Sequence, residues 1–157
     1  MWIRPAQDSD MKVIGELEKA CLPPGDVWSE ALISNMFSNS YDRIYVLEDE
    51  GEIRGYINTR DMGGDVDLMS ICVLPEYQRR GYASLLMERV LAAPYNQIIL
   101  EVRESNTPAI SLYEKFGFEK YARRNGYYSN PDEDAIIMIR ASGAENNART
   151  NVRIMTK

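Results

Sequence analysis

Two hydrophobic periods alternate along the chain, and each predicts a different kind of element. Apolar residues that recur every three or four positions predict amphipathic helices, whereas alternating or short continuous apolar runs predict strands. The helical period predicts four helices, which end near Pro23, Ser38, Pro94 and Gly117. The strand period predicts seven strands, at 2–5, 41–47, 53–59, 66–74, 98–102, 118–123 and 135–139. This order of elements favours an α/β fold with a mixed central sheet.

The same pattern sets the domain boundaries. Residues 1–140 carry the periodic segments and no internal linker, so we expect one domain there, whereas the polar residues 141–157 predict a C-terminal tail. The turn-rich residues 125–131 predict a loop between the last two strands. Strict alternation along 66–74 places two sets of apolar side chains on opposite faces, Val66, Leu68 and Cys72 on one and Met69, Ile71 and Val73 on the other.

Composition narrows the chemistry, because the sequence contains no histidine. Ser/His/Asp and Cys/His triads, imidazole metal sites and a histidine base are therefore excluded, and we expect no metal. The net charge of −6 argues against a nucleic-acid partner. No apolar run approaches the roughly 20 residues of a membrane span. Cys21 and Cys72 lie in apolar runs typical of reduced core thiols, and together these features predict a cytoplasmic protein.

A glycine-containing loop at the start of the third helix is a candidate anion site. The loop reads Gln78-Arg79-Arg80-Gly81-Tyr82-Ala83 and follows a buried strand and Pro75. Glycine lets backbone amides approach a ligand, and a helix N-terminus directs those amides at negative charge. Two arginines add charge-assisted hydrogen bonds. The loop fits a pyrophosphate, although an ordinary strand-to-helix turn with exposed arginines would read the same way.

With this loop in place, the sequence resembles the GNAT superfamily of acetyl-CoA-dependent N-acetyltransferases from Ile3 to Ile139. The resemblance is carried by three segments, 71–83, 100–106 and 109–118. Residues 123–128 and 133–138, with Trp28-Ser29-Glu30, are similar to the subgroup that acetylates protein N-termini, and within it to the bacterial RimI-type group. Members of that group acetylate the N-terminal alanine of a small-subunit ribosomal protein. Gly126 reads as an insertion in this pattern.

The resemblance implies a role for each matching position. It implies that Glu101 is the general base and Tyr113 the general acid. It implies that acetyl-CoA is the co-substrate and contacts Ile71, Cys72, Val73, Arg79, Arg80, Gly81, Tyr82, Ala83, Ser84 and Asn106. It implies a peptide groove lined by Trp28, Tyr127, Tyr128 and the remainder of 21–28.

Elementary chemistry is compatible with these roles. A free α-amine has a pKa near 8, so one carboxylate suffices to deprotonate it, and a phenol can return a proton to a thiolate. Neither cysteine has a visible activating base, which favours direct attack in a ternary complex. The expected partner is a protein N-terminal peptide, that of a ribosomal protein, and we expect a monomer or a weak homodimer. The alternatives are a small-amine or lysine acceptor, or a non-catalytic acetyl-CoA-binding module.

Overall fold

The computed structural model describes residues 1–143, which form a seven-stranded mixed sheet with four α-helices. This confirms the fold class expected from the sequence. The helices are α1 (Met11–Cys21), α2 (Glu30–Ser38), α3 (Tyr82–Leu91) and α4 (Thr107–Lys115). The strands are β1 (Trp2–Pro5), β2 (Asp42–Asp49), β3 (Glu52–Asp61), β4 (Asp65–Val73), β5 (Gln97–Arg103), β6 (Glu119–Tyr128) and β7 (Glu133–Ala141).

The strands follow the order β1-β2-β3-β4-β5-β7-β6. Neighbouring strands are antiparallel except for β4 and β5, which are parallel and are connected through α3. A parallel pair needs such a crossover, because a tight turn cannot return the chain to the same end of the sheet. Within residues 1–143, the one parallel pair of strands lies at the centre of the sheet.

The parallel pair separates soon after it forms. β4 and β5 are paired at three positions, from Asp65 opposite Gln97 to Asp67 opposite Ile99. Beyond this point β4 continues beside β3 and β5 continues beside β7. A wedge-shaped gap therefore opens between residues 68–73 and 100–103, and its two edges carry backbone groups without a strand partner across it.

A β-bulge in β4 changes which side chains face each layer. The register with β3 shifts between Leu68, opposite Thr59, and Ser70, opposite Asn58, so Met69 is the extra residue. Val66 and Leu68 pack in the same core as Ile71 and Val73, whereas Cys72 packs in the other core. The strict alternation expected for 66–74 is therefore wrong, because the bulge reverses the faces at Met69.

Two apolar cores cover the two faces of the sheet. The larger core packs α3 and α4 against β2, β3, β4, β5 and β7. The smaller core packs α1 and α2 against β2, β3 and β4, and it contains no side chain of β5, β6 or β7 among residues 1–143. Leu100 and Val102 belong to the larger core, so the alternate positions Glu101 and Arg103 face the α1–α2 side.

The last hairpin is longer than the sequence pattern indicates. β6 reaches Tyr128, so the two tyrosines expected in a loop lie on a strand, and the hairpin turn is limited to residues 129–132. Gly126 has a φ of 62° and lies within an irregularity of the β6–β7 register. Its backbone N–H donates to Oδ1 of Asp134 at 2.8 Å. The extra residue is thus absorbed in the strand, and Tyr128 still pairs with Glu133.

The predicted tail lies almost entirely outside the described residues, which end two positions after β7. The division into a domain at 1–140 and a tail at 141–157 therefore stays a prediction. Within residues 1–143, none of the helices is both long enough and apolar enough to cross a membrane.

Candidate active site

The start of α3, which follows the end of β4, has the geometry of an anion site. Gly81 precedes the helix with a φ of 83°, a left-handed conformation that favours glycine. The first amides of a helix have no acceptor within it, so those of residues 82–84 are free to bind an external anion. Gln78 holds the loop to the sheet, because its Nε2 donates to the carbonyl of Val73 at 3.0 Å.

Arginines surround this helix start. The guanidinium groups of Arg54 and Arg80 lie over the ring of Tyr77, at 4.3 and 4.9 Å from its centre. Arg79 is exposed and has a φ of 62°. The hydroxyl of Tyr82 donates to Asp49, so the side chain of Tyr82 is already engaged and its backbone amide is the group left to contact a ligand. The charges and amides together suit a pyrophosphate.

The adjoining edge of β4 presents backbone groups to the gap. The amide of Leu74 bonds the carbonyl of Arg54 on β3 at 2.9 Å. Backbone groups along an antiparallel strand point alternately to its two neighbours. The backbone N–H and C=O of Cys72 therefore point to β3, whereas those of Ile71 and Val73 point to the gap. The carbonyl of Val73 also accepts from Sγ of Cys21 at 3.3 Å. The backbone groups of Ile71 and the amide of Val73 remain. They form an unpaired edge to which an extended, amide-bearing chain can hydrogen-bond.

Glu101 enters the gap from the α1–α2 face of the sheet. Its side chain is 27% exposed, and its Oε1 lies 3.4 Å from Nη2 of Arg124 on β6. Its carboxylate also lies close to the hydroxyl of Tyr127, and this proximity is the main reason that the pKa of Tyr127 is raised. Glu101 is therefore oriented by two β6 side chains and remains accessible to solvent.

Tyr113 reaches the gap from the opposite face. It lies on the buried side of α4, is 5% exposed, and packs against Phe118 with 5.7 Å between ring centres. Burial raises its pKa, and Tyr128 and Cys72 lie close enough to raise it further. Cys72 is on β4 and Tyr128 is on β6, so the phenol is close to residues from both sides of the gap. A phenol in this setting is protonated at neutral pH.

Other predicted side chains lie on β6, on the loop after α1 and at the start of α4. Burial first, then the charges of Asp26 and Glu101, raise the pKa of Tyr128. Trp28 is partly buried at the end of the loop that follows α1. Asn106 caps α4, because its Oδ1 accepts from the amide of Ala109 at 3.3 Å. The structure thus brings Glu101, Tyr113, Tyr127 and Tyr128 close to one another. The roles of all the predicted site residues stay predictions.

Sequence reasoning missed one buried carboxylate beside this gap. Glu18 on α1 is fully buried and accepts from the amide of Trp28 at 3.1 Å and from Oγ of Ser70 at 2.9 Å. The hydroxyl of Tyr56 donates to the same carboxylate. The available signal was the helical spacing, which places Glu18 one turn after Ile14 on the apolar side of α1.

Arg103 is the second residue that sequence reasoning left without a role. It lies two positions after Glu101 on β5, is 7% exposed, and forms ion pairs with Asp26 and Glu133. The available signal was again spacing, because residues two apart on a strand share a face.

A central sheet whose two parallel strands separate is a feature by which this chain can be compared with known families. The model of the acetyltransferase (GNAT) family matches residues 12–118. The chain therefore belongs to the GNAT acetyltransferase family, as the resemblance implied.

Two relatives and one solved structure that this chain resembles are named as N-acetyltransferases. A putative ribosomal protein bS18-alanine N-acetyltransferase of Bacillus subtilis is 31% identical over 113 residues, which cover 69% of this chain and 75% of the relative. The ribosomal protein bS18-alanine N-acetyltransferase of Escherichia coli K12 is 34% identical over 117 residues, covering 71% and 78%. The crystal structure of the Escherichia coli ribosomal-protein-S18-alanine N-acetyltransferase superposes with a TM-score of 0.82 at 26% identity, covering 95% of this chain and 97% of that one. The chain is thus an N-acetyltransferase, and the reading as a non-catalytic module is set aside.

Proposed function

We propose that this enzyme transfers the acetyl group of acetyl-CoA to the N-terminal α-amine of a protein, and that its target is the N-terminal alanine of a bS18-type ribosomal protein. The observation that carries the reaction is the gap between β4 and β5, which a carboxylate and a protonated phenol enter from opposite faces. The choice of target rests on the names of the similar bacterial enzymes.

Two parts of the gap would bind two parts of acetyl-CoA, the pyrophosphate and the pantetheine arm. The amides at the start of α3, with Arg79 and Arg80, would hold the pyrophosphate. The backbone groups of Ile71 and the amide of Val73 would bond the amides of the pantetheine arm as a strand would. Acetyl-CoA supplies an activated thioester, and this chain's residues bind it, orient it and move protons around it.

Glu101 and Tyr113 would handle the two protons of the reaction. The amine nitrogen forms a bond to the thioester carbonyl carbon, and the carbon–sulfur bond breaks. Glu101 accepts the proton lost by the amine, directly or through one water, and Tyr113 donates its proton to the departing thiolate. The products are an N-terminal amide and free CoA thiol, and no covalent enzyme intermediate is needed.

Aromatic side chains would form the acceptor groove. Trp28 ends the loop after α1, and Tyr127 and Tyr128 on β6 lie within reach of the charge of Asp26 in the same loop. Tyrosine hydroxyls suit the backbone groups of an extended peptide. An α-amine has a pKa about two units below that of lysine, so a carboxylate base such as Glu101 favours an N-terminal acceptor over a lysine.

Mass spectrometry of acetylated peptides tests this proposal. The acceptors are a peptide with the N-terminal sequence of bS18, the same peptide with a blocked N-terminus and an internal lysine, and a polyamine. We expect a mass gain of one acetyl group on the free-terminus peptide and none on the blocked one. Acetylation of the polyamine or the lysine alone would contradict the proposed acceptor. Intersecting initial-rate lines would support a ternary complex, and parallel lines would contradict it.

Three further expectations belong to this proposal. The enzyme acts in the cytoplasm, without a nucleic-acid or membrane partner. It needs no metal. It is a monomer or a weak homodimer.

A further inference from the structure

A buried arginine connects the two segments that border the acceptor side of the gap. We name residues 22–29, between α1 and α2, the acceptor loop, and residues 129–132, between β6 and β7, the hairpin turn. Arg103 lies between them, with its side chain on the same face of β5 as Glu101. Arg103 is therefore placed to connect β5, which carries Glu101, with the acceptor loop and the hairpin turn.

All five N–H groups of this guanidinium have acceptors. Toward the acceptor loop, Nε and Nη2 donate to the two carboxylate oxygens of Asp26 at 2.7 and 2.9 Å. Toward the hairpin, Nη2 donates to the carbonyl of Ser129 at 3.1 Å, and Nη1 donates to the carbonyl of Pro131 at 2.8 Å and to Glu133 at 3.3 Å. Lysine has three donors on one nitrogen and cannot reproduce this planar fork.

The two segments also touch directly. A Cβ added to Gly25 in the acceptor loop would clash with the carbonyl oxygen of Ser129 and lie 3.1 Å from Cβ of Asn130. Glycine therefore allows the close approach that the ion pairs of Arg103 maintain.

Apolar packing does not provide this connection. The core beneath α1 and α2 has no member from β5, β6 or β7 within residues 1–143. The guanidinium of Arg103 lies 4.5 Å from the ring centre of Tyr128, so it also supports one of the tyrosines proposed to contact the peptide. The buried, bidentate ion pair of Arg103 with Asp26 thus connects the acceptor loop to β5 without an apolar contact.

We propose that Arg103 is a positioning residue for the acceptor: it fastens the acceptor loop to the hairpin turn and thereby sets the groove between Trp28 and Tyr128. This inference rests on the proposed N-terminal acetyltransferase function. It predicts that loss of the fork weakens peptide binding and leaves the acetyl-CoA end of the gap intact, because Arg103 contacts neither α3 nor the edge of β4 in the hydrogen bonds described.

The test compares Arg103→Lys, Arg103→Gln and Asp26→Asn with the matched control Arg123→Gln. Arg123 also forms two ion pairs near the hairpin, with Glu104 and Asp134, but it is exposed and does not reach the acceptor loop. We expect the peptide KM to rise by about tenfold or more in the three test variants, with acetyl-CoA Kd within about twofold of the wild type. Arg123→Gln should leave both values near those of the wild type.

Hydrogen exchange supplies a readout that does not depend on turnover. Amides of the acceptor loop and of the hairpin turn should exchange faster together in Arg103→Lys, while those of α3 stay protected. The double variant Arg103→Gln with Asp26→Asn should raise the peptide KM no more than the more damaging single variant, because both remove one connection.

Three outcomes would overturn the inference: an unchanged peptide KM in folded Arg103→Lys and Asp26→Asn, an equal loss of acetyl-CoA affinity, or unchanged exchange in both segments. Gly25→Ala separates the segments without changing a charge, and it should reproduce the rise in peptide KM. If the wild-type enzyme acetylates no peptide, the proposed function fails, and the exchange data alone decide whether Arg103 joins the segments.

Discussion

Glu101 and Tyr113, the carboxylate and the phenol proposed to act at the central gap, have different surroundings. Glu101 is partly exposed and lies beside Arg124 and Tyr127, so solvent and an incoming amine can reach its carboxylate. Tyr113 is buried, and burial raises its pKa, so it keeps its proton at neutral pH. The environment of each group therefore matches the role proposed for it, one accepting and one donating a proton.

Replacing Glu101 with glutamine should slow the reaction without weakening acetyl-CoA binding. Glutamine keeps the shape of the side chain but cannot accept the amine proton, so we expect kcat to fall by about 10²- to 10⁴-fold. Steady-state kinetics and isothermal titration with acetyl-CoA measure the two quantities. Glu104→Gln, three positions along the chain and paired with Arg123 at the surface, is the control and should keep nearly full activity.

Tyr113→Phe should lower kcat by about 10²-fold with a similar affinity for acetyl-CoA. The acid is active while protonated, and its raised pKa extends that state toward alkaline pH. The wild-type rate should therefore show no decline from Tyr113 between pH 7 and about pH 10. A descending limb near pH 8 that disappears in Tyr113→Phe would contradict the assignment. The exposed Tyr121 provides the control, as Tyr121→Phe.

Single residues were predictable from the sequence where the signal is local. Glu101 is a carboxylate within an apolar strand run, and the run alone makes it conspicuous. Arg103 could not be given its role, because its main partner Asp26 is 77 positions away. Glu18 bonds Ser70 at a separation of 52 positions. Buried charges are explained by their partners, and those partners are brought together only by the fold.

At the scale of elements, the start of α3 can be tested by comparing two glycines. Gly81 and Gly51 have φ values of 83° and 77°, and an added Cβ would meet nothing within 4 Å at either site. Alanine should therefore cost each variant about 1 kcal/mol of stability through backbone strain alone. Gly81→Ala should in addition weaken acetyl-CoA binding severalfold, whereas Gly51→Ala, in the β2–β3 turn, should not. Equal affinities in the two variants would argue against the proposed pyrophosphate site.

Element types were predictable, while details of the strands were not. The seven strands and four helices follow from hydrophobic periods and from stop signals such as Pro94. The bulge at Met69 left no local signal, since it depends on the pairing of β4 with β3. The sequence pattern ends β6 at residue 123, whereas the strand continues to Tyr128. Asn125 and Gly126 favour a turn in isolation, but pairing with β7 keeps them in a strand. Tertiary pairing overrides propensity in both cases.

At the scale of the whole molecule, one ion pair links stability to acidic pH. Arg4 donates to Asp10 at 2.8 and 3.1 Å and lowers the pKa of that carboxyl below its ordinary value. A lowered folded-state pKa means that this stabilisation is present above about pH 4, the unfolded value, and is lost as the pH falls through the folded value.

Asp10→Asn should therefore destabilise the protein by about 2 kcal/mol at pH 7, because Arg4 and the amide of Gln7 lose a buried charged acceptor. Urea unfolding at a series of pH values measures the effect. The difference from the wild type should shrink as the pH is lowered below about 4. The exposed Asp8 supplies the control, as Asp8→Asn. A difference that stays constant with pH would contradict this linkage.

The three-position contact between β4 and β5 has a consequence for the order of events. Each half of the sheet ends at an edge that the other half does not cover. A pantetheine arm bonded to that edge would act as an additional strand and would form one wall of the space in which the acceptor amine must lie. We therefore expect the donor to bind first and its thiol product to leave last, because the enzyme builds part of its second binding site from its first substrate.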